Sequence, residues 1–535
     1  MSSSPAQPPS HLPDHLAGYA NELVAAQNRL GAGASDLAAL LDLIIQAPTT
    51  RDQLCDLLEK SWSSLQSLRK LLTTLARDTT DSAEFTETLT VAHKAIETGA
   101  PFSLTKLKDA LAAAGAHLKN PPVDSVLQSR LAEANALANC LERNYDGAAK
   151  DYQIAAELSE SSQDKDAHWR YKSLQASALC DLGRESLNDH KLSEAITLFE
   201  AIASELTDQT KDPDKWAKTQ SELGNALGIS GQRQRGTHQL QEAVAAYQRA
   251  LTVQSPEHSP SDWAATQNSL GNALGILAHR QKDVALLEQS QQAFEQALTV
   301  RTQEQHAWDW AATQNNLGSV LQALGQQKND PQLLKRAVDA YKQVLLAWTR
   351  DQAPLHWATT FNNLGTALRL LGEKRKGPRT LEQAVAAYRN ALAERTRERV
   401  PAQWAMTQNN LGTALQKLGE RSESPQPFKD AISAYQSALK EWTQERSPMT
   451  WALTAANLAF AQKSLAERLG DAGTAGLALS QLEAVAKVFR EASHAQYYEH
   501  AMSRLPKPGS SSRHSGGINP YQQDRAPRKD SVCRE

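Results

Sequence analysis

Seven tryptophans stand 47 residues apart, and this period constrains the fold more than any other feature of the sequence. They are Trp169, Trp216, Trp263, Trp310, Trp357, Trp404 and Trp451. The segment Trp310-Ala-Ala-Thr-Gln-Asn-Asn-Leu-Gly318 is nearly repeated after Trp263 and Trp404. A fixed period of this kind is typical of one supersecondary unit stacked on copies of itself, so we expect an array of short helical repeats.

The spacing within each repeat predicts two helices. Counting each tryptophan as position 0, leucine recurs at positions 7 and 11 and glycine at position 8, which places them on one helical face. Glycine costs about 1 kcal/mol inside a helix, so its recurrence predicts a close contact at that point. A second helix carries alanines around an aromatic ring, as in Ala243, Tyr247 and Ala250. Phe294 and Tyr341 hold the ring position in the next two copies.

This pattern resembles the tetratricopeptide repeat, although each copy is longer than the usual 34 residues. The extra residues lie in the loop between the two helices and before the next tryptophan. The elongated form, with its Asn-Asn-Leu-Gly core, is similar to the kinesin-light-chain and nephrocystin type and to bacterial repeat scaffolds. The resemblance implies an all-α fold, a right-handed α-solenoid of helix-turn-helix repeats preceded by a small helical domain.

Composition predicts four regions along the chain. Residues 1–12 are rich in serine and proline and residues 506–535 in proline, glycine, serine and arginine, so both are expected to be disordered. Residues 13–122 predict a helical domain, with helices near 35–46, 51–75, 84–98 and 104–118. Residues 123–505 predict about eight repeats. In the last one Ala459 replaces the glycine and Leu482 the tyrosine, as expected of a degenerate cap.

Charge and motif content exclude several function classes. Lys+Arg (57) and Asp+Glu (60) nearly balance, which predicts no nucleic-acid partner. The sequence has no long apolar run, no secretory signal and no nucleotide-binding or hydrolase motif, so we expect no membrane span, no cofactor and no enzyme. Its four cysteines are scattered, which predicts no metal site and a cytoplasmic protein with reduced thiols.

The repeated polar residues at positions 5, 6 and 9 are the best candidates for a binding site. Asparagine is a mediocre helix former, so its recurrence calls for a reason. In tetratricopeptide repeats these positions line the concave groove, where amides pair with the backbone of a bound peptide. The alternative is hydrogen bonding between successive repeats. The candidate asparagines are Asn225, Asn268, Asn272, Asn315, Asn316, Asn362, Asn363, Asn409 and Asn410.

Three basic residues complete the predicted groove: Lys218, Arg369 and Lys417. Relatives that clamp a terminal carboxylate use lysine and arginine at the positions that are asparagine, serine or threonine here. We therefore expect no carboxylate clamp. The tryptophans themselves are expected to pack between repeats, because an exposed row of indoles would promote aggregation.

The sequence thus predicts a non-catalytic scaffold or adaptor that binds a peptide or helical segment of a protein partner in its groove. The alternative is a ligand-sensing subunit of a signalling or defence system, acting through the helical domain at 13–122. The sequence gives no signal for an oligomeric state.

Overall fold

The computed structural model describes residues 51–78, 90–91, 104–117 and 125–491. The part of the chain so described is all-α, and a short π-helical turn, Ile202–Leu206, follows α6. Its helices are α1 (Arg51–Asp78), α2 (Leu104–His117), α3 (Ser125–Leu141), α4 (Tyr145–Ser161), α5 (Lys165–Glu185), α6 (Asp189–Ala201), α7 (Pro213–Arg233), α8 (His238–Ala250), α9 (Pro260–Gln281), α10 (Val284–Val300), α11 (Ala307–Gln327), α12 (Pro331–Ala347), α13 (Pro354–Glu373), α14 (Arg379–Glu394), α15 (Pro401–Gly419), α16 (Gln426–Ala438), α17 (Pro448–Leu469) and α18 (Ala472–Glu491).

The helix starts follow local sequence signals. Five first helices begin at a proline, where the missing N–H costs nothing because the first turn has no partner for it. These are Pro213, Pro260, Pro354, Pro401 and Pro448. At α4, α5, α6, α10 and α12 an Asn or Asp side chain caps the helix by accepting a backbone N–H, as Asn144 does from Gly147 at 3.1 Å.

The chain divides into two compact units, Met1–Ser422 and Glu423–Glu535. In the first, α3 to α14 form six antiparallel hairpins, and each second helix packs on the first helix of the next repeat. The first helices α5, α7, α9, α11, α13 and α15 also contact their neighbours directly. This stacked arrangement confirms the predicted fold class. In the second unit, α17 packs against both α16 and α18.

The glycine at position 8 lets an aromatic ring lie on the first helix. A Cβ atom on Gly224, Gly318 or Gly365 would lie 2.6–2.8 Å from a ring carbon of the tyrosine in its own hairpin. Gly271 meets Phe294 in the same way, at 2.8 Å. The close contact predicted from the sequence is therefore present, and its partner is the ring of the second helix.

In the last repeat, which lies in the second unit, different residues form the contact between position 8 of the first helix and the ring position of the second. Ala459 and Leu482 are both fully buried and belong to one hydrophobic cluster. The smaller leucine replaces the ring, so the space that it vacates accommodates the extra methyl group of alanine. The two substitutions that made this repeat look degenerate are thus a matched pair.

The seven tryptophans pack within the array. Trp263 is buried, and the other six are half-buried. Trp263 contacts Leu251 at the end of the preceding second helix, together with Ala297 and Val300. None of the seven rings points into solvent, in agreement with packing as their role.

Before the first hairpin, α1 and α2 both pack on α3. The predicted helices at 51–75 and 104–118 correspond to α1 and α2. The predicted helix at 35–46, most of the one at 84–98 and the terminal regions lie outside the described residues. The proposed boundaries at 122 and 505 remain predictions.

Candidate binding surface on the first helices

Positions 5, 6, 9 and 13 of the first helices α5 to α15 form a surface that we call the amide face. The side-by-side packing of these helices aligns equivalent positions in rows. The structure thereby brings together the predicted asparagines of successive repeats. Their hydrogen bonds differ from one repeat to the next, however, and this difference decides which of them are open to a ligand.

Position 9 is the partner of the buried tyrosine in three hairpins. Tyr247 donates its hydroxyl to Asn225 Oδ1 at 2.9 Å. Ser319 Oγ and Thr366 Oγ1 each lie 3.0 Å from the hydroxyl of the tyrosine 22 residues later. Burial raises the pKa of these tyrosines, so they stay protonated and able to donate. The polar residue at position 9 therefore satisfies a buried hydroxyl in these hairpins.

Positions 5 and 6 form an amide ladder between α11, α13 and α15. Asn363 donates to Asn315 Oδ1 at 3.4 Å, and Asn410 donates to Asn362 Oδ1 at 3.2 Å. Asn362 is only 5% exposed. Hydrogen bonding between repeats, the alternative to groove contact, thus occurs for these four residues. Asn409, next to the ladder, is half-buried, and its Oδ1 is enclosed without a hydrogen-bond partner.

Both patterns are interrupted at α9. Its hairpin carries Phe294 where α8, α12 and α14 carry tyrosine, so Asn272 at position 9 has no hydroxyl to accept from and is exposed. Asn268 Oδ1 is buried without a hydrogen-bond partner, and no ladder bond joins it to Asn316 on α11. The amides of Asn272 and Asn316 are therefore open to a ligand.

The three predicted basic residues also differ in whether they are paired within the chain. Lys218 is exposed on α7. Arg369 pairs with Glu373 one turn along α13, and Lys417 bonds Glu420 at 2.9 Å. Two of the three cations are thus engaged within the chain.

A polar cavity of about 410 Å³ lies on the amide face between α5, α7 and α9. Lys60 of α1 reaches it and donates to Asp181 Oδ1 at 2.6 Å, and Arg184 donates to the same oxygen at 2.7 Å. Glu222, which also lines the cavity, forms no ion pair within the described residues. Its one hydrogen bond is a long contact from Asn225 at 3.4 Å. Burial raises the pKa of the Glu222 carboxyl.

A second, apolar cavity of about 520 Å³ lies between α9 and α11. Ile276, Leu287, Phe294 and Val320 supply its apolar wall, and the polar residues Asn316, His279 and Arg280 also line it. Asn272 lines both cavities and so marks their junction. The two openings are therefore neighbours on one surface.

Two repeated contacts that sequence reasoning missed hold the first helices in register. The threonine at position 3 is buried in six copies. In four of them it bonds to a neighbouring repeat, as Thr313 accepts from Arg301 at 3.0 Å. At position 17, Arg233 donates to the carbonyls of Gly183 and Arg184 at 3.0 and 2.8 Å. Arg280 and Arg421 repeat this contact one and four repeats later. Their recurrence at a fixed position was the available signal.

Within the described residues no cluster of three or more His, Cys, Asp or Glu side chains could hold a metal ion. The helices described there also include none with the length and apolar character to cross a membrane. Cys140 and Cys180 are free, and burial raises the pKa of their thiols to about 12 and about 11. The surface therefore offers hydrogen bonds, one unpaired carboxylate and an apolar recess.

Comparison with known proteins identifies the repeat. A family model described as tetratricopeptide repeat matches residues 310–347 and 404–441. No curated protein matches the chain significantly.

Among solved structures, BtubC (BKLC) from P. vanneervenii aligns at 16% identity and TM-score 0.32, covering 53% of this chain and 98% of that one. A Rap protein in complex with competence and sporulation factor aligns at 14% and 0.36, covering 70% and 96%. Human IFIT1 bound to m7Gppp-AAAA aligns at 13% and 0.33, covering 88% and 99%. TM-scores this low say nothing about the function of this chain.

The two matched segments each begin at one of the regularly spaced tryptophans and end in the following second helix. The same helical hairpins, with a ring seated on a glycine, continue on the N-terminal side of both segments. The chain thus contains tetratricopeptide repeats, at residues 310–347 and 404–441.

Proposed function

We propose that this chain is a non-catalytic interaction scaffold that binds a peptide or helical segment of a protein partner on the amide face. The observation that carries the proposal is the interruption at α9, where open amides adjoin two cavities. An amide offers both a donor and an acceptor, so a row of them suits the backbone of a partner. No reaction is assigned to the chain, and the cytoplasm remains its expected location.

The proposal is tested by affinity capture with the full chain and identification of the bound proteins by mass spectrometry. Replacing Asn272 and Asn316 together by alanine is expected to reduce capture of the principal partner about tenfold, since each lost hydrogen bond costs about 0.5–1.5 kcal/mol. Asn390→Ala, an exposed residue on the second helix α14, is the matched control and should leave capture unchanged. Equal capture by all three chains, each with an intact circular dichroism spectrum, would contradict the proposal.

One observation favours the alternative, a ligand-sensing subunit acting through the N-terminal helical region. Lys60 belongs to α1 and lines the polar cavity through its bond to Asp181. A ligand in this cavity would therefore touch both the array and the N-terminal helix. Under this alternative, a partner should change hydrogen exchange across residues 51–78, and Lys60→Met should reduce that change. A passive scaffold would show the same exchange in α1 with and without its partner.

A further inference from the structure

The composition of the two cavities indicates which chemistry a bound segment carries. In the polar cavity Asp181 is already bonded to Lys60 and Arg184, so its charge is compensated within the chain. Glu222 makes no ion pair within the described residues, although Lys218, four residues before it on α7, favours its charged form. A partly buried carboxylate without an ion-pair partner is costly, and a ligand that supplies a positive charge relieves this cost. The charge favoured at this wall is therefore that of a lysine or arginine side chain.

The neighbouring cavity selects a different group. Ile276, Leu287, Phe294 and Val320 give it an apolar wall. Arg280 also lines this cavity, but its guanidinium is bonded to the carbonyls of Gly231 and Gln232. The cavity's volume of about 520 Å³ has room for a large aliphatic or aromatic side chain. Removal of such a side chain from water is worth about 1.5–3 kcal/mol, which makes this cavity an anchor for one residue of a partner.

The amides between the cavities indicate whether the bound partner segment is extended or helical. Asn272 is exposed at their junction and makes no hydrogen bond within the described chain, and Asn316 lies beside it on α11. A helix has its backbone N–H and C=O groups already paired, whereas an extended chain has them available. Two open amides at the centre of the surface therefore suit an extended backbone.

The spacing of the helices sets the spacing of the ligand groups. Helices packed side by side lie about 8–10 Å apart. Glu222 on α7 is about one and a half such spacings, or about 12–15 Å, from the cavity between α9 and α11. An extended chain covers about 3.3 Å per residue, so about four residues separate the two groups.

We propose that the amide face of α7, α9 and α11 binds an extended peptide carrying a lysine or arginine against Glu222 and, about four residues away, a large apolar side chain in the cavity lined by Phe294 and Val320. Asn272 pairs with the peptide backbone between these two residues. This inference rests on the function proposed above and specifies the chemistry of its partner.

The test uses the full chain and fluorescein-labelled twelve-residue peptides, with binding measured by fluorescence anisotropy. The probes carry lysine and leucine four residues apart, in both orders, on a serine and alanine background. Companion peptides replace the lysine by glutamate, replace the leucine by serine, or place the two residues adjacent. We expect one order of the lysine–leucine peptide to bind at least about tenfold more tightly than each companion.

Variants of the chain assign the effect to the residues. Glu222→Gln should reduce the preference for lysine over glutamate by about tenfold, and Glu222→Lys should reverse it. Glu200→Gln on α6 is the matched control, because Glu200 is exposed and lies outside both cavities. Val320→Ala should weaken the leucine peptide and leave the serine companion unchanged. Unaltered thermal unfolding establishes that each variant is folded.

The outcomes separate this inference from the proposed function. If all peptides bind alike and Asn272→Ala with Asn316→Ala weakens them equally, the amide face binds peptides and the proposed charge and apolar preferences are wrong. If no peptide responds to any of these variants, both proposals fail. Dimers of the chain that dissociate when the lysine–leucine peptide is added would identify a second copy, not a separate partner, as the occupant.

Discussion

A single side chain in the second helix decides whether a polar residue of the first helix is structural or available. Where the ring is Tyr247, the amide of Asn225 accepts its hydroxyl at 2.9 Å. Where the ring is Phe294, the equivalent Asn272 has no such partner and is exposed. Because phenylalanine lacks the hydroxyl oxygen, the asparagine at position 9 changes from a residue that stabilises the hairpin to a candidate binding residue.

The contact between Gly318 and Tyr341 gives the first prediction at this scale. A Cβ at Gly318 would lie 2.8 Å from a carbon of a ring that is 1% exposed and held on all sides. The overpacking cost of about 1–3 kcal/mol opposes a gain of about 1 kcal/mol from replacing glycine in a helix. Gly318→Ala is therefore expected to lower the free energy of unfolding, by up to about 2 kcal/mol, measured by urea denaturation.

The natural pair Ala459 and Leu482 supplies the test of this mechanism. Combined with Tyr341→Leu, the alanine should find space, so the double variant should be more stable than the sum of the two single changes predicts by about 1–2 kcal/mol. Gly377→Ala, at a loop position with nothing within 4 Å of the added methyl, is the control. Strict additivity of the two changes would show that the ring does not exclude the methyl group.

Glu222 gives a prediction about pH. Burial raises its pKa in the folded chain above the value of about 4.3 expected in the unfolded chain. The folded state thus disfavours the charged form, so this residue's contribution to stability is greatest below the unfolded pKa and is lost as pH rises through the folded one. As pH rises from the unfolded pKa to the folded one, the free energy of unfolding of the wild-type chain should fall relative to that of Glu222→Gln. Above the folded pKa, the difference between the two chains should stay constant.

Urea denaturation of both chains at a series of pH values measures this difference. Glu200→Gln, which removes an exposed carboxyl from α6, should differ from wild type by a nearly constant amount across the same range. A pH-independent difference between wild type and Glu222→Gln would mean that the Glu222 carboxyl is hydrated as in the unfolded chain.

At the scale of the element, a helix end in one repeat is held by a side chain of the next. The last carbonyls of a helix have no partner within it, and a cation there also interacts favourably with the helix dipole. Arg233 fills this role for α5 by bonding the carbonyls of Gly183 and Arg184. The arginine thereby fixes the position of α7 relative to α5.

Replacing Arg233 by glutamine should accordingly destabilise the chain by about 1–2 kcal/mol, because charged hydrogen bonds to two carbonyls at the end of α5 are lost. Thermal unfolding measured by circular dichroism detects the change. Arg235→Gln is a close control, since Arg235 is exposed and makes no contact of this kind. Similar effects of the two substitutions would show that the loss of charge, and not the capping contact, is responsible.

The elements were largely predictable from the sequence, and the open surface was not. The period of the tryptophans, the glycine at position 8 and the ring of the second helix each have a local packing cause, so their spacing predicted the hairpins. The availability of Asn272 depends on a contact 22 residues away, and the asparagine pattern alone gave no sign of it. The reach of Lys60 into the polar cavity spans 121 residues and leaves no periodic trace.

At the scale of the whole molecule, stability in a stacked array is expected to be a sum of local terms. In the first unit the main contacts of each hairpin are with its neighbours in sequence. A repeat array of this kind behaves as a one-dimensional chain of units joined by nearest-neighbour interfaces. A local defect should therefore weaken the repeats beside it and lose its effect with distance.

Hydrogen exchange of the Gly318→Ala chain tests this expectation. Its defect lies between α11 and α12, so protection should fall most there and less in the adjoining hairpins α9–α10 and α13–α14. The distant hairpin α3–α4, which is separated from the defect by three intervening hairpins, should exchange as in the wild-type chain. Equal loss of protection in α3–α4 would mean that the first unit unfolds as one cooperative body. Binding at α9 would then be sensed along its whole length, which would favour the ligand-sensing alternative over a passive scaffold.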